Sequence, residues 1–287
     1  MFYDKIYNRK ISEVEMTYNK AVELLREAGI ENAERDAAIL FEHFAGVAGH
    51  TLPFRKDEEI DSPALDGALA RRIGREPLQY ILGFWEFCGL RFELNSDCLC
   101  PRPDTETVAQ LAIKNLPRGA HFCDIGTGSG AIAVSILHFR GDTTSDAFDI
   151  SEGALSAARR NAAINSVADR ITFTQADALA EDFLEGREYD AVISNPPYIP
   201  ADVIPTLERE VLLEPHRALD GGEDGLVFYR AITERAKNVL KTNGFVLYEV
   251  GIGQADDVAA IGEKNGFAAE IYPDLSGIPR AVLLRKL

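Results

Sequence analysis

The sequence predicts an α/β protein: a doubly wound, mainly parallel sheet of seven strands, a small helical bundle before it, and a β-hairpin linker between the two. Three observations predict this. From about residue 104 onward, β-prone apolar runs alternate with amphipathic helical runs, the pattern of right-handed strand–helix–strand crossovers. The first of those strands runs into a glycine-rich turn that opens a helix, and in open sheets such turns sit where ligands bind. Before about residue 75 the periodicity is helical only.

Taken in order, residues 12–15 (Ser12 to Glu15) have capping-box spacing. Val22, Leu25 and Ala28 fall on one helical face that Gly29 can end. Asn32 is a candidate cap for a second helix, with Ile39, Leu40 and Phe44 inward and Gly46 as its stop. Ser62-Pro63 is a cap and first-turn pair, after which Leu65, Leu69 and Ile73 repeat every four residues. Tyr80, Ile81, Phe84, Trp85, Phe87, Leu90, Phe92 and Leu94 are β-prone and punctuated by Gly83, Gly89 and Asn95, which predicts the hairpin. The expected domains are therefore residues 1–77, helical; 78–103, hairpin linker; and 104–287, sheet. In the last of these, strands are expected at His121–Ile125, Asp146–Ile150, Ile171–Thr174, Tyr189–Ser194, Phe245–Val250, Phe267–Tyr272 and Ala281–Leu284. No helix separates the final two, so they should form an antiparallel edge hairpin.

The formal net charge of −16 repels a phosphate backbone. The two short basic clusters, Arg71-Arg72 with Arg75 and Arg159-Arg160, read as solvated helix faces, so nucleic acid is disfavoured as a direct substrate. No run of about 18 apolar residues marks a membrane span, and Met1 to Lys10 lacks the apolar core of a signal peptide. A cytoplasmic monomer is expected. Cys88, Cys98, Cys100 and Cys123 lack metal-ligand spacing and read as reduced, mostly buried thiols; no metal is expected.

The candidate cofactor site begins at Asp124-Ile125-Gly126-Thr127-Gly128-Ser129-Gly130, where glycine allows a sharp turn and close approach of backbone to ligand. Asp149 ends the second strand about 20 residues beyond, where a carboxylate can accept from both ribose hydroxyls; capping of the following helix near Ser151 is the alternative. Asp177 follows the third strand and could hold an adenine amino group or cap its own loop. Asp124 could fix the glycine turn or the cationic end of a cofactor. A pyrophosphate favours a helix N-terminus without carboxylates. A sulfonium and an ammonium suit these acids better, which favours S-adenosylmethionine over a dinucleotide.

The candidate chemical site is Asn195-Pro196-Pro197-Tyr198, directly after the apolar strand Ala191-Val192-Ile193. The fourth strand of such a sheet adjoins the first, so Asn195 and its neighbours should face the cofactor across the switch point. Asn195 offers a side-chain oxygen and Pro196 a backbone carbonyl to the two hydrogens of a planar nitrogen. Proline holds those acceptors in place, and Tyr198 can lie against a flat group.

Together these residues resemble the HemK/PrmC family of release-factor glutamine methyltransferases over nearly the whole chain. The resemblance is carried by Glu76-Pro77-Leu78-Gln79-Tyr80-Ile81-Leu82-Gly83, Pro101-Arg102-Pro103-Asp104-Thr105-Glu106, Asp124 to Gly130, Asp149-Ile150-Ser151 and Ser194 to Ile199. Glu214-Pro215, Ala218-Leu219, Asp224-Gly225-Leu226 and Glu249-Val250-Gly251 extend it. It implies a Rossmann-like S-adenosylmethionine-dependent methyltransferase domain that methylates N5 of the glutamine in the Gly-Gly-Gln loop of class-1 peptide-chain release factors. It further implies that Asn195 and Pro196 hold the amide, that Pro197 and Tyr198 line its pocket, and that Gly126, Asp149 and Asp177 contact the cofactor. Arg102 and Glu106 would help build the site, and the helical domain would dock the release factor. Cys98-Leu99-Cys100 departs from the family, which is commonly aliphatic there. Ribosomal-protein glutamine methyltransferases differ at the Pro-Arg-Pro-Asp-Thr-Glu stretch. An N6-adenine nucleic-acid methyltransferase could use the same tetrapeptide on a flipped base, and would need a basic groove. A non-catalytic module of the same fold would bind cofactor without turnover.

Overall fold

The structure, a computed structural model, describes residues 16–286; the capping-box spacing at residues 12–15 lies outside them. Contacts divide the chain into two compact units. One holds the described residues through Gly83 together with Glu208–Leu213; the other holds Phe84–Leu207 and Glu214–Leu287. No described helix is long and apolar enough to cross a membrane.

The first unit contains helices α1 (Tyr18–Glu27), α2 (Ala33–Ala45), α3 (Pro63–Ile73) and α4 (Leu78–Leu82). Thr17 caps α1 by accepting from the Lys20 amide at 3.2 Å, and Ser62 caps α3 by accepting from that of Leu65 at 3.3 Å. Asn32 precedes α2 without a side-chain cap bond, while Gly46 ends that helix at φ 67°. The buried stripe of α2 is Ala33, Asp36, Ala37, Leu40 and Phe41 rather than one through Ile39 and Phe44. The stripe holds a buried ion pair: Arg72 Nε donates to Asp36 Oδ2 at 2.8 Å, with Arg72 8% and Asp36 6% exposed. Arg72 also reaches Glu210 Oε1 at 3.1 Å, and Arg75 pairs with Glu210 at 2.5 Å. The Arg71–Arg75 cluster is thus partly a buried, neutralised network and not a solvated face. Removing one partner of such a pair strands a buried charge. Arg159 and Arg160 do lie at the surface, paired with Glu152 and Glu93. Tyr80 and Ile81, read from sequence as strand, lie in α4.

In the second unit the hairpin is β1 (Phe84–Phe87) with β2 (Leu90–Glu93), joined through Cys88 and Gly89 at φ 51° and 71°. Two successive positive φ values give a turn whose twist matches the strands. Next comes α5 (Glu106–Asn115), a helix absent from the sequence expectations. The chain then alternates through β3 (His121–Ile125), α6 (Ala131–Phe139), β4 (Thr144–Asp149), α7 (Glu152–Ile164), β5 (Ile171–Gln175), β6 (Tyr189–Ser194), α8 (Val227–Val239), β7 (Leu240–Glu249), α9 (Ala255–Lys264), β8 (Phe267–Pro273) and β9 (Pro279–Lys286).

The seven-stranded sheet has the order β5-β4-β3-β6-β7-β9-β8. Strands β3 to β7 run parallel, and β9 is antiparallel to both β7 and β8. The terminal strands do form an antiparallel hairpin, but the last strand is the inner one and β8 is the edge. Strand alternation divides the core between the two faces. Phe122, Ile193 and Leu247 pack with α5 and α6 on one side. Cys123, Val192 and Val246 pack with α8 and α9 on the other. As predicted, β3 and β6 are neighbours, which brings the glycine turn and Asn195 to the same edge of the sheet.

Candidate active site

The carboxyl ends of β3, β4, β5 and β6 surround a cavity of about 260 Å³. The glycine turn forms one wall. Gly126 and Gly128 have φ 71° and 56°, and both line the cavity. A Cβ on Gly126 would meet nothing nearer than the Asn195 carbonyl at 3.9 Å, so the backbone there is open to a ligand. Gly130 does not line the cavity. It caps α6 at φ 81°, and a Cβ there would stand 3.2 Å from Ala158 of α7, so its constraint is helix packing. Asp124 is also outside the cavity: it is 1% exposed and accepts the Thr127 hydroxyl at 2.7 Å. Burial pushes its carboxyl up to about 7. Its position fixes the turn, the first of the two roles the sequence left open, and Thr127 itself lines the cavity.

Asp149 lines the cavity and serves the polypeptide as well. Its Oδ2 accepts from the Gly128 amide at 2.8 Å and its Oδ1 from the Ser151 amide at 2.9 Å. Burial raises its pKa against the pull of those two amides. Each oxygen has a second lone pair, so both readings of Asp149, helix cap and hydroxyl acceptor, are compatible with its place. Asp177 is exposed on the cavity rim and caps its own loop through the Leu179 amide at 2.8 Å.

Asn195, Pro196 and Pro197 line the cavity beside the glycine turn. Ser194 anchors the tetrapeptide by donating to the Ile125 carbonyl at 2.7 Å. Asn195 Nδ2 donates to Thr105 Oγ1 at 3.4 Å, which leaves its Oδ1 available as an acceptor. Tyr198 is not among the lining residues. Its carbonyl accepts from Gln254 Nε2 at 2.9 Å, and its backbone is hemmed in by glycines: a Cβ on Gly225 would fall 2.3 Å from that carbonyl, and one on Gly221 2.8 Å from Tyr198 Cα. Burial raises the Tyr198 phenol well above its usual value.

Arg102 lines the cavity and is held by Glu214, whose other oxygen accepts from the Cys100 amide at 2.9 Å. Glu106 is not part of the lining; it accepts from the Cys88 amide at 2.8 Å and so braces the hairpin turn. Cys98 and Cys100 are buried in the cavity wall, and burial pushes the Cys98 thiol up to about 11, which keeps it protonated at neutral pH.

Sequence reasoning assigned no role to Thr105, Glu214, Arg217 or Glu249. Glu214 and Arg217 flank the cavity from the loop after the tetrapeptide. Glu249 ends β7, is 2% exposed, and has one oxygen, Oε2, without a hydrogen-bond partner among the described residues. A signal for Glu249 was present, a carboxylate closing an apolar strand, the same one that singles out Asp149.

Comparison with known proteins agrees with this geometry. Residues 17–83 match the PrmC N-terminal domain, and residues 103–248 match the methyltransferase small domain. The release factor glutamine methyltransferase of Geobacter sulfurreducens is 38% identical over 263 residues, 90% of this chain and 91% of that protein. That of Bradyrhizobium diazoefficiens is 40% identical over 274 residues, 92% and 91% respectively. The crystal structure of a methyltransferase from Pyrococcus furiosus shares the fold, with a TM-score of 0.54 at 18% identity over 69% of this chain and 90% of its own. Because identity of this order spans some nine-tenths of this chain and of each relative, the chain belongs to the release factor glutamine methyltransferase family.

Proposed function

We propose that this protein transfers a methyl group from S-adenosylmethionine to the side-chain nitrogen, N5, of the glutamine in the Gly-Gly-Gln loop of a class-1 peptide-chain release factor. The observation that carries it is Asn195 at the cavity wall, with its amino group turned to Thr105 and its oxygen left to accept. The cavity residues fit the cofactor. Asp149 would take the ribose hydroxyls, Asp177 the adenine amino group, and the open backbone of Gly126 and Gly128 the amino-acid end. Exposed Ile150 and Leu179 on the lining supply apolar cover for a flat base. When bound, S-adenosylmethionine supplies an electrophilic methyl on a positively charged sulfur.

An amide nitrogen is a weak nucleophile because its lone pair is shared with the carbonyl. Asn195 Oδ1 and the Pro196 carbonyl would accept its two hydrogens and hold its face towards the cofactor, so that positioning and electrostatics do most of the work. With its hydrogens so held, the nitrogen would turn its lone pair to the methyl that the cofactor would supply and would give up one N–H proton on methylation. Tyr198 supports this wall from behind its glycine collar. The helical unit would dock the release factor. The protein is proposed to act as a monomer in the cytoplasm.

The deciding experiment is transfer of radiolabelled methyl to a purified class-1 release factor, beside its Gly-Gly-Ala variant, a ribosomal protein substrate and duplex DNA. Label on the unmutated release factor alone is expected. Label on DNA would assign the tetrapeptide to a flipped base, and label on the ribosomal protein would move the chain to that branch.

A further inference from the structure

Glu249 has no part in the chemistry derived above, yet the sheet places it beside that chemistry. Strands β6 and β7 are parallel neighbours with Ser194 opposite Tyr248, so Asn195 and Glu249 are the next residues along each chain. Thr105 connects them. Asn195 Nδ2 donates to its hydroxyl oxygen at 3.4 Å, and the same hydroxyl faces the Glu249 carboxylate, which it pulls towards the ionised form. Thr105 and Glu249 are both buried.

A hydroxyl has one proton to give. Once Thr105 gives it to an ionised Glu249, only lone pairs remain for Asn195, which must then present its amino group to Thr105 and its oxygen to the cavity. An asparagine amide is nearly the same shape after a half-turn, so packing alone does not choose between the two orientations. The choice decides the chemistry: an oxygen accepts from a substrate N–H, whereas an amino group opposes it.

We propose that Glu249 is a positioning residue for methyl transfer, fixing the Asn195 amide through the Thr105 hydroxyl so that Oδ1 faces the substrate nitrogen. This rests on the amide-methylation assigned above. Protonation undoes the arrangement: the acid proton of Glu249 goes to Thr105 Oγ1, and the Thr105 proton is then free to bond Asn195 Oδ1. Burial pushes the Glu249 carboxyl up to about 7, against hydrogen bonding by Thr105 and the charges of Arg280 and Arg102, with Asp104 adding to the rise. The phenols of Tyr198 and Tyr229 also face it, both kept neutral by burial. Arg280 is itself shared with Asp104 at 3.0 Å and Asp274 at 3.5 Å.

The test uses the full-length protein labelled with nitrogen-15. The side-chain amide resonance of Asn195, assigned by its loss in Asn195→Ala, is followed from about pH 5 to about pH 9. It should titrate with the Glu249 carboxyl, stop titrating in Glu249→Gln and Thr105→Val, and titrate again in Thr105→Ser, which keeps the hydroxyl. In methyl transfer to the release factor, Thr105→Val should lower kcat by about 10- to 100-fold. Cofactor affinity and KM should stay within about threefold, the loss being one of orientation and not of binding. Thr105→Ser should recover most of the rate, and Glu249→Gln should flatten the rise of kcat with pH. An Asn195 resonance indifferent to Glu249 and Thr105, or equal losses in the Val and Ser variants, would overturn the proposal. If the wild type leaves the release factor unlabelled while the Asn195 resonance still follows Glu249, the substrate assignment fails and the positioning chain stands.

Discussion

Two carboxylates close strands of the same sheet, Asp149 at the end of β4 and Glu249 at the end of β7 with β3 and β6 between them, and they have been put to different uses. Asp149 faces the cavity with both oxygens bonded to backbone amides. Glu249 is enclosed, with one oxygen unpartnered among the described residues. The first is a rigid, satisfied acceptor, suited to a ligand that comes and goes. The second is a strained charge, tolerable because Arg280 and Thr105 stand against it, and suited to setting the state of its neighbours. A third carboxylate, Asp36 in the helical unit, is also buried but is paired with Arg72. Burial alone therefore predicts neither role nor cost; the partners decide.

The largest expected effect sharpens that point. Asp36→Ala strands the Arg72 guanidinium and should destabilise the protein by about 3–5 kcal/mol in denaturant unfolding, because a buried charge loses its counter-charge. A loss below 1 kcal/mol would show that Glu210 suffices on its own. Next, Asn195→Ala should cut kcat by about 100- to 1,000-fold, as for removal of one preorganised group at a reacting centre, while calorimetry finds cofactor affinity unchanged. Parallel loss of both would place Asn195 in the cofactor site instead. Asp149→Ala should do the reverse, weakening cofactor binding by about 10- to 100-fold through loss of charge-assisted hydrogen bonds; unaltered affinity would reduce Asp149 to a helix cap. Asp177→Ala, at the exposed rim, should change affinity by only about threefold.

The smallest effect concerns stability against pH. The Glu249 carboxyl is raised from 4.5 to about 7 on folding. Between those values the folded state holds more protons than the unfolded one, so stability falls as pH rises through that window and levels off above it. Glu249→Gln removes this term. Its melting temperature relative to wild type should therefore be higher at pH 8 than at pH 5, by a few degrees. An equal difference at both pH values would mean that Glu249 titrates alike in the folded and unfolded chain.

What was legible in the sequence was what repeats or punctuates locally. Strand–helix alternation gave the sheet, and glycines with Asp149 and Asn195 at the strand ends gave most of the cavity lining. Features set by partners far along the chain were not legible. Asp36 is buried on α2 only because Arg72, 36 positions away, pairs with it. Glu106 was expected beside the site on the strength of the family resemblance alone, and its carboxylate accepts from the Cys88 amide of the hairpin turn. Thr105 gains its place through Asn195, 90 positions away, and through Glu249, farther still along the chain. Helix α5 was missed because only Val108, Ala109 and Ala112 are buried on it, and small residues give a faint periodicity.

Asn161 ties two distant pieces of the second unit together. Its side chain accepts from the Glu93 amide at 2.7 Å and donates to the carbonyls of Glu93 at 2.9 Å and Ser129 at 2.8 Å. A two-stranded ribbon with four-residue strands is not stable by itself in water, so the hairpin borrows its order from the same side chain that steadies the glycine turn. The two should therefore open together, as one cooperative unit, in native-state hydrogen exchange. A ligand that tightens the glycine turn would then slow exchange at the Glu93 amide, making the hairpin a remote reporter of an occupied cavity.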